Sequence, residues 1–167
     1  SHRVEFRRAG TCQRMGLKNM SELYDFIAES NRIEGITRAP TSAELIATEA
    51  FIGLPKITLV ALKNLVATLQ PNARLRDKLG LDVRVGNHYP PRGGPEIRER
   101  LQNLLNEIDV GCHSAYSAHL VYETLHPFTD GNGRSGRAIW LWQMKGRAPL
   151  GFLHQFYYQT LQGDRDV

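Results

Sequence analysis

HPFTDGNGRSGR, at residues 126–137, gathers the chemical groups that bind and transfer phosphates. It offers an imidazole at His126, a carboxylate at Asp130 and guanidiniums at Arg134 and Arg137. Two glycines open the loop between the carboxylate and the first guanidinium, and the apolar run that follows is typical of a helix. The segment therefore predicts a site that handles a nucleotide.

Pro127 determines where the histidine lies. A proline disfavours the helical conformation at the residue before it, so a helix over residues 111–125 should end at or just before His126. The histidine then occupies a junction between helix and loop, where its side chain can face a cavity. Phe128 is the one large apolar residue of the loop, and we expect it to anchor the loop to the core.

The loop and the following helix predict an anion site. Gly131 and Gly133 allow backbone torsions and a close approach that side chains would forbid. Their N–H groups and that of Asn132 can converge as an anion nest ahead of the helix. Arg134 and Arg137 are three residues apart, so both should project from one side of its first turn. Because cations there cost about 0.3–1 kcal/mol each against the helix dipole, a polyphosphate between them explains their placement.

Two other motifs share letters with this segment and are rejected. GNGRSG satisfies the dinucleotide pattern G-x-G-x-x-G, but that pattern needs a preceding strand and an acid about 20 residues later. HPFTD precedes it instead, and no Asp or Glu occurs between Asp130 and Asp164. A calcium loop counted from Asp130 would place Ser135 at its glycine and Leu141 at its bidentate glutamate. A solvated turn would explain the glycines, but not the full combination.

The segment resembles the Fic-domain signature HPFx[D/E]GNGRxxR at every defined position. The resemblance runs from about residue 20 to about residue 163, nearly the whole chain. It implies an all-α, Fic-type helical fold with a small β-hairpin flap, as a single domain over residues 1–167. Most known Fic proteins transfer AMP from ATP to a protein hydroxyl, so the resemblance implies a protein adenylyltransferase.

The resemblance also implies a role for each residue of the signature. His126 would be the general base that takes the proton from a serine, threonine or tyrosine hydroxyl of the target. Asp130 would hold Mg²⁺ at the α- and β-phosphates. The phosphates would be bound by Gly131, Asn132 and Gly133 as an anion hole, by Arg134 at the outer phosphates and by Arg137 at the γ-phosphate. A histidine is a neutral base near pH 7, and Mg²⁺ prefers oxygen ligands shared with phosphates, so chemistry and resemblance agree.

A second segment, SNRIEG at residues 30–35, follows an amphipathic pattern that predicts a helix over residues 20–34. It is similar to the Fic inhibitory motif [S/T]xxxE[G/N], with Ser30 and Glu34 at the defined positions. By this resemblance, Glu34 pairs with Arg137 and occupies the space of the γ-phosphate. A carboxylate there repels the phosphate and satisfies its arginine, which predicts autoinhibition. From the six letters alone, a solvated glutamate at a helix end is the simpler interpretation.

A third segment, LDVRVGNHYPPRGGP at residues 81–95, predicts a short hairpin. Val83, Arg84 and Val85 alternate as a strand, Gly86-Asn87 is a turn signal, and two prolines end any ladder. The resemblance identifies residues 81–92 as the Fic flap, whose edge would pair with the target segment. By spacing alone, a loop before the next helix fits equally well.

Composition limits the remaining possibilities. The 167 residues, 41% of them hydrophobic, predict one domain with a real core. The net charge of +4 suits ATP, but Lys and Arg are scattered, so no nucleic-acid partner is expected. We expect neither a signal peptide nor a membrane span, and the two cysteines, Cys12 and Cys112, have no partner spacing. A cytoplasmic location is expected. Helix-paired dimers occur among Fic proteins, and the sequence leaves the oligomeric state open.

The periodicity predicts helices near residues 20–34, 41–52, 56–70, 95–107, 111–125, 134–145 and 149–161. The adenine pocket and the target protein cannot be assigned from these letters. Two other functions remain open. One keeps the site but transfers another phosphate-linked group, phosphorylates or removes AMP, and the other is a non-catalytic nucleotide-sensing module. The intact base and metal carboxylate argue against the second.

Overall fold

Six helices make up the part of the chain that the structure, a computed structural model, describes, which is residues 20–144. In chain order they are α1 (Met20–Ile33), α2 (Ser42–Ile52), α3 (Leu59–Leu69), α4 (Pro95–Asp109), α5 (Ala115–Leu125) and α6 (Asn132–Gln143). This confirms the all-α fold class. None of these helices is long and apolar enough to cross a membrane. The helix predicted over residues 149–161 lies outside the described residues.

Side-chain caps explain where two helices begin later than predicted. The predicted starts at residues 56 and 111 were wrong, because each helix begins after a capping hydroxyl. Thr58 Oγ1 accepts the N–H of Ala61 at 3.1 Å, and Ser114 Oγ accepts that of Ser117 at 3.0 Å. Each hydroxyl satisfies an N–H that has no partner within its own helix.

α6 is the central helix of the fold and packs against α1, α2, α3 and α5. Its residues are buried on nearly every side, polar ones included: Asn132, Arg134, Ser135, Gly136, Arg137, Ala138, Ile139, Trp140 and Leu141. A helix surrounded in this way belongs to the core of a domain. The buried residues at its N-terminus are mostly polar, and those in its C-terminal half are apolar and pack in the core.

The outer helices bury one face each. α4 shows the pattern clearly, since Ile97, Leu101, Leu104 and Ile108 recur at helical spacing and are all buried. Burying each such side chain stabilises the fold by about 1.5–3 kcal/mol. Phe128 is 2% exposed and forms a bridge with Leu75, so the expected anchoring of the loop to the core is confirmed.

The flap, residues 81–92, is a tight turn rather than a strand pair. The predicted strand at Val83, Arg84 and Val85 is wrong, because pairing is limited to one bridge between Val85 and His88. Their backbones exchange two hydrogen bonds, of 3.0 and 2.8 Å. The two prolines that follow have no N–H to extend the ladder, so the hairpin stops after one pair.

Candidate active site

A cavity of about 950 Å³ lies between the end of α1, the flap, α5 and the start of α6. The predicted site residues other than Ser30 meet there. Its lining includes Glu34, Val83, Arg84, Val85, His126, Asp130, Gly131, Asn132, Gly133, Arg134 and Arg137. The sequence segments that contribute them are far apart in the chain, and only the folding of α1 and α5 around α6 brings them together.

His126 caps the C-terminus of α5 in the left-handed conformation, with φ 50° and ψ 62°. The helix therefore ends at Leu125, as the following proline predicts. His126 Nδ1 lies 3.1 Å from the carbonyl oxygen of Glu123, which can only accept. A proton on Nδ1 makes Nε2 the basic nitrogen of the neutral ring. Burial lowers the pKa of His126, and the nearby charges of Arg76 and His88 lower it further. Both effects favour the neutral form that a general base requires.

Side-chain hydrogen bonds fix the loop after the histidine. Asn132 spans it, because its Oδ1 accepts from Phe128 N–H at 2.9 Å and its Nδ2 donates to Phe128 O at 2.8 Å. Ser135 Oγ donates to Gly131 O at 2.7 Å. Gly131 adopts a positive φ of 77° and caps α6, so the helix starts two residues before its predicted position at 134. The first N–H groups of α6 therefore have no acceptor within the helix and face the cavity.

Asp130 is an exposed carboxylate at the rim of this loop. Its Oδ1 accepts from the N–H of Gly131 at 2.7 Å, which holds the side chain beside the anion nest. Within residues 20–144, no group of three or more His, Cys, Asp or Glu side chains could enclose a metal ion. A single carboxylate fits Mg²⁺, because this ion commonly binds through one or two carboxylates together with substrate phosphates and water.

Arg137 reaches from α6 to the end of α1. It is 3% exposed, and its Nε donates to Ser30 Oγ at 2.7 Å. Its Nη2 donates to Ser30 O at 3.0 Å and to Glu34 Oε1 at 2.7 Å. The carboxylate of Glu34 is 40% exposed. The guanidinium thus packs against Ser30 of α1 and contacts Glu34, which lines the cavity with it.

Arg134 lines the same cavity but turns toward α3. It donates to the carbonyl of Leu69 at 2.9 Å and to Gln70 Oε1 at 3.0 Å. Its Nε atom is buried and forms no hydrogen bond. Both arginines line the cavity, but they are held by different neighbours.

Glu34 is held over the start of α6 by the turn that ends α1. Gly35 takes a φ of +76°, as expected of a helix stop, and the N–H of Ile36 donates to Asn31 O at 3.0 Å. The side chain of Asn31 donates to buried Glu44 of α2 at 2.7 Å. A Cβ added at Gly133 would overlap the Glu34 carboxylate, so the acid lies directly against the glycine loop.

Three residues of the site region were not predicted from sequence. His119 and Glu123 line the cavity from α5, and Arg76 is buried behind His126. Burial, followed by the charge of Arg137, lowers the pKa of His119 to about 3. Burial raises the pKa of Glu123 to about 7, against the opposing influence of Arg137. A histidine and a glutamate on a helix carry no sequence signal that separates them from ordinary surface residues.

The family model described as the Fic/DOC family matches residues 56–144 of the chain, just over half of its length. The match includes the flap, His126 and the whole loop through Arg137. Ser30 and Glu34 lie outside it. No solved structure was found to match the chain.

Proposed function

Because the chain belongs to the Fic/DOC family, we propose that it is an adenylyltransferase that moves AMP from ATP to a protein hydroxyl and is restrained by its own Glu34. A transferase with the Fic fold is what the family match supports. The observation that carries the finer proposal is the convergence of His126, the N-terminus of α6 and the flap on one cavity.

The residues of the cavity divide the reaction between them. The target hydroxyl attacks the α-phosphorus, a new O–P bond forms, and the bond to the leaving pyrophosphate breaks. His126 Nε2 accepts the hydroxyl proton, since Nδ1 is engaged with the Glu123 carbonyl. The N–H groups at the start of α6 stabilise the negative charge on the phosphates. Asp130 would hold Mg²⁺, which neutralises phosphate charge when bound.

The flap supplies the acceptor side of the cavity. Val83, Arg84 and Val85 line the cavity across from α5, and Val85 and His88 form the turn that closes this side. A target segment lying along the flap would form backbone hydrogen bonds to it, which fixes register while leaving the target's side chains variable. The target can be a second protein or another copy of this chain.

Autoinhibition follows from the contact of Glu34 with Arg137. In the proposed active state Arg137 binds the γ-phosphate. In this structure Arg137 Nη2 instead donates a hydrogen bond of 2.7 Å to Glu34 Oε1. A negative charge in that place opposes the γ-phosphate electrostatically. ATP that binds beside it would be held in an unproductive pose.

Mass spectrometry of a Glu34→Gly variant incubated with ATP and Mg²⁺ tests the proposal. An added AMP mass on the protein or on a partner is the expected result, and it should be absent from Glu34→Gly/His126→Asn. Glu29→Gly is the matched control, because Glu29 is an exposed acid of α1 that pairs with Arg32 instead. An added phosphate mass, a loss of AMP from a modified substrate, or no mass change would each reject AMP transfer.

A further inference from the structure

We propose that Arg76 is a positioning residue of this reaction, because one buried guanidinium fixes both the backbone of His126 and the base of the flap. The proposal rests on the function proposed above. Arg76 lies outside the signature at residues 126–137. Its proposed role is to set the distance between His126 and a target segment bound along the flap.

Arg76 lies in the loop between α3 and α4, and its surroundings are unusual for an arginine. It is completely buried, with 0% exposure. An arginine is rarely buried unless it is paired, because the removal of its charge from water is costly. Here the charge of Asp82 acts on the guanidinium, but its four hydrogen bonds all go to backbone carbonyl groups, so it secures the backbone geometry around it.

Four hydrogen bonds from the guanidinium reach two separate parts of the site. Toward the catalytic loop, Nε donates to His126 O at 2.7 Å and Nη2 donates to Leu125 O at 2.9 Å. Toward the flap, Nη1 donates to Leu81 O at 3.1 Å and to Pro91 O at 2.8 Å. The planar fork of an arginine has the donors to hold both parts at once.

The bonds toward the loop support the conformation of the base. Leu125 and His126 end α5, where carbonyl groups lack partners within the helix and a cation is favoured by the helix dipole. His126 is also the one non-glycine residue with a positive φ between residues 20 and 144. Such a conformation persists when its surroundings determine it, and Arg76 supplies that constraint together with its N–H bond to Pro127 O.

The bonds toward the flap compensate for its weak internal structure. A hairpin with one bridge has little stability of its own. Leu81 begins the flap and Pro91 is its penultimate residue, and Arg76 binds the carbonyl of each. The backbone of Arg76 continues the connection, since its carbonyl accepts the N–H of Gly94 at 2.9 Å. Arg76 therefore helps to fix the position of the flap relative to His126, together with His88, whose Nε2 lies 3.0 Å from the carbonyl oxygen of Thr124 on α5.

Steady-state kinetics of Arg76→Lys in the Glu34→Gly background provide the first test. A lysine keeps the charge but has a single nitrogen, which cannot serve all four carbonyl groups. We expect kcat/KM for the target to fall about 10- to 100-fold, the scale of a misplacement of up to about 1 Å. The KM for ATP should not change, because the phosphate-binding groups are on α6. Arg74→Lys, an exposed neighbour, is the matched control.

Gly93→Ala is the second variant. It tests the positioning role of Arg76 even if Arg76→Lys does not fold. A Cβ at Gly93 would lie 2.6 Å from the carbonyl oxygens of Leu81 and Lys78, so it displaces the carbonyl that Arg76 binds. It should show the same fall in kcat/KM for the target, with an unchanged KM for ATP. An unchanged kcat/KM for the target, or a raised KM for ATP, would overturn the proposal.

Hydrogen exchange provides a test without ATP. In Arg76→Lys, or in Gly93→Ala if the former does not fold, residues 81–93 and 122–130 should both exchange faster than in the parent, while α6 does not. If Glu34→Gly transfers no AMP, the proposed function fails, and the exchange result still decides whether Arg76 joins the two parts. Faster exchange in only one of them would refute the connection.

Discussion

Arg137 Nη2 donates to Glu34 Oε1 over 2.7 Å, which joins α6 to the end of α1 between residues 103 positions apart in the chain. The buried guanidinium has two further bonds, both to Ser30, so its hydrogen-bond partners belong to α1 and to the turn that follows it. In the proposed function, a bound γ-phosphate would have to replace Glu34 at this guanidinium.

Substitution of Glu34 and Arg137 singly and together should reveal this pairing. Glu34→Gly alone is expected to raise AMP transfer by about 5- to 150-fold, the usual range for a coupling free energy of 1–3 kcal/mol. Arg137→Ala should weaken ATP binding. In the Arg137→Ala background, Glu34→Gly should no longer activate, because the acid has lost its partner. Transfer rates of the four proteins, measured with labelled ATP, complete this double-mutant cycle. If Glu34→Gly raised the rate equally with and without Arg137, the two residues would act independently.

Ser30→Ala should partly relieve the inhibition. It removes the hydroxyl that accepts from Arg137 Nε but keeps the backbone carbonyl that binds Nη2. The loss of one hydrogen bond, about 1 kcal/mol, corresponds to a roughly fivefold rise in transfer. Ser42→Ala, an exposed serine at the start of α2, is the control. A transfer rate equal to that of the unsubstituted protein would mean that Ser30 does not hold the inhibitory arrangement.

His126→Asn and His126→Ala should both abolish transfer in the Glu34→Gly background but differ in stability. Asn tolerates the left-handed conformation of this position, whereas Ala there costs about 1–2 kcal/mol. Both variants should bind ATP, because the phosphate-binding groups belong to α6. Calorimetric titration and thermal unfolding measure these properties. Residual transfer in His126→Asn would exclude the imidazole as the essential base.

The dependence of folding stability on pH should contain two opposing contributions from α5. Because His119 has a folded pKa of about 3, below its unfolded value of 6.5, its contribution is lost as the pH falls below 6.5. At pH 5 the loss is about 2 kcal/mol, at 1.4 kcal/mol per pH unit. The pKa of Glu123 is raised from 4.5 to about 7, so its burial penalty is present above pH 7 and disappears as the pH falls toward 4.5.

Two variants that replace the titrating group with an uncharged amide separate these contributions. His119→Gln should gain stability relative to the parent as the pH falls from 7 to 5. Glu123→Gln should gain relative to the parent as the pH rises from 5 to 8. Chemical denaturation at several pH values provides the free energies of unfolding. Parallel curves for parent and variant would show that the group is not perturbed by burial.

The sequence predicts the helices best where a local signal marks their ends. Pro95 at the first position of α4 and Pro127 after α5 act through steric rules that need no tertiary information. The strand at Val83–Val85 was predicted incorrectly because alternation describes one strand and says nothing about its partner. The partner segment contains Pro90 and Pro91, and the pairing stops after one bridge.

Some residues of the candidate site could likewise be predicted from a local sequence signal, and others could not. The loop from His126 to Arg137 is contiguous in sequence, so its groups could be identified together before any fold was known. The placement of Glu34 beside Arg137 came from resemblance, because no spacing rule relates residues so far apart. Arg76 could not be predicted, since its importance depends on four carbonyl groups that only the folded chain brings together.

The ion pair of Glu34 with Arg137 lies within one chain, and this has a consequence for how the restraint behaves in solution. Dilution cannot separate the acid from its arginine, because the effective concentration of each at the other is set by the fold. An inhibitor supplied by a second molecule would be lost at low protein concentration. The proposed restraint would instead be independent of protein concentration, and a competing ligand or a movement of Glu34 away from Arg137 would release it.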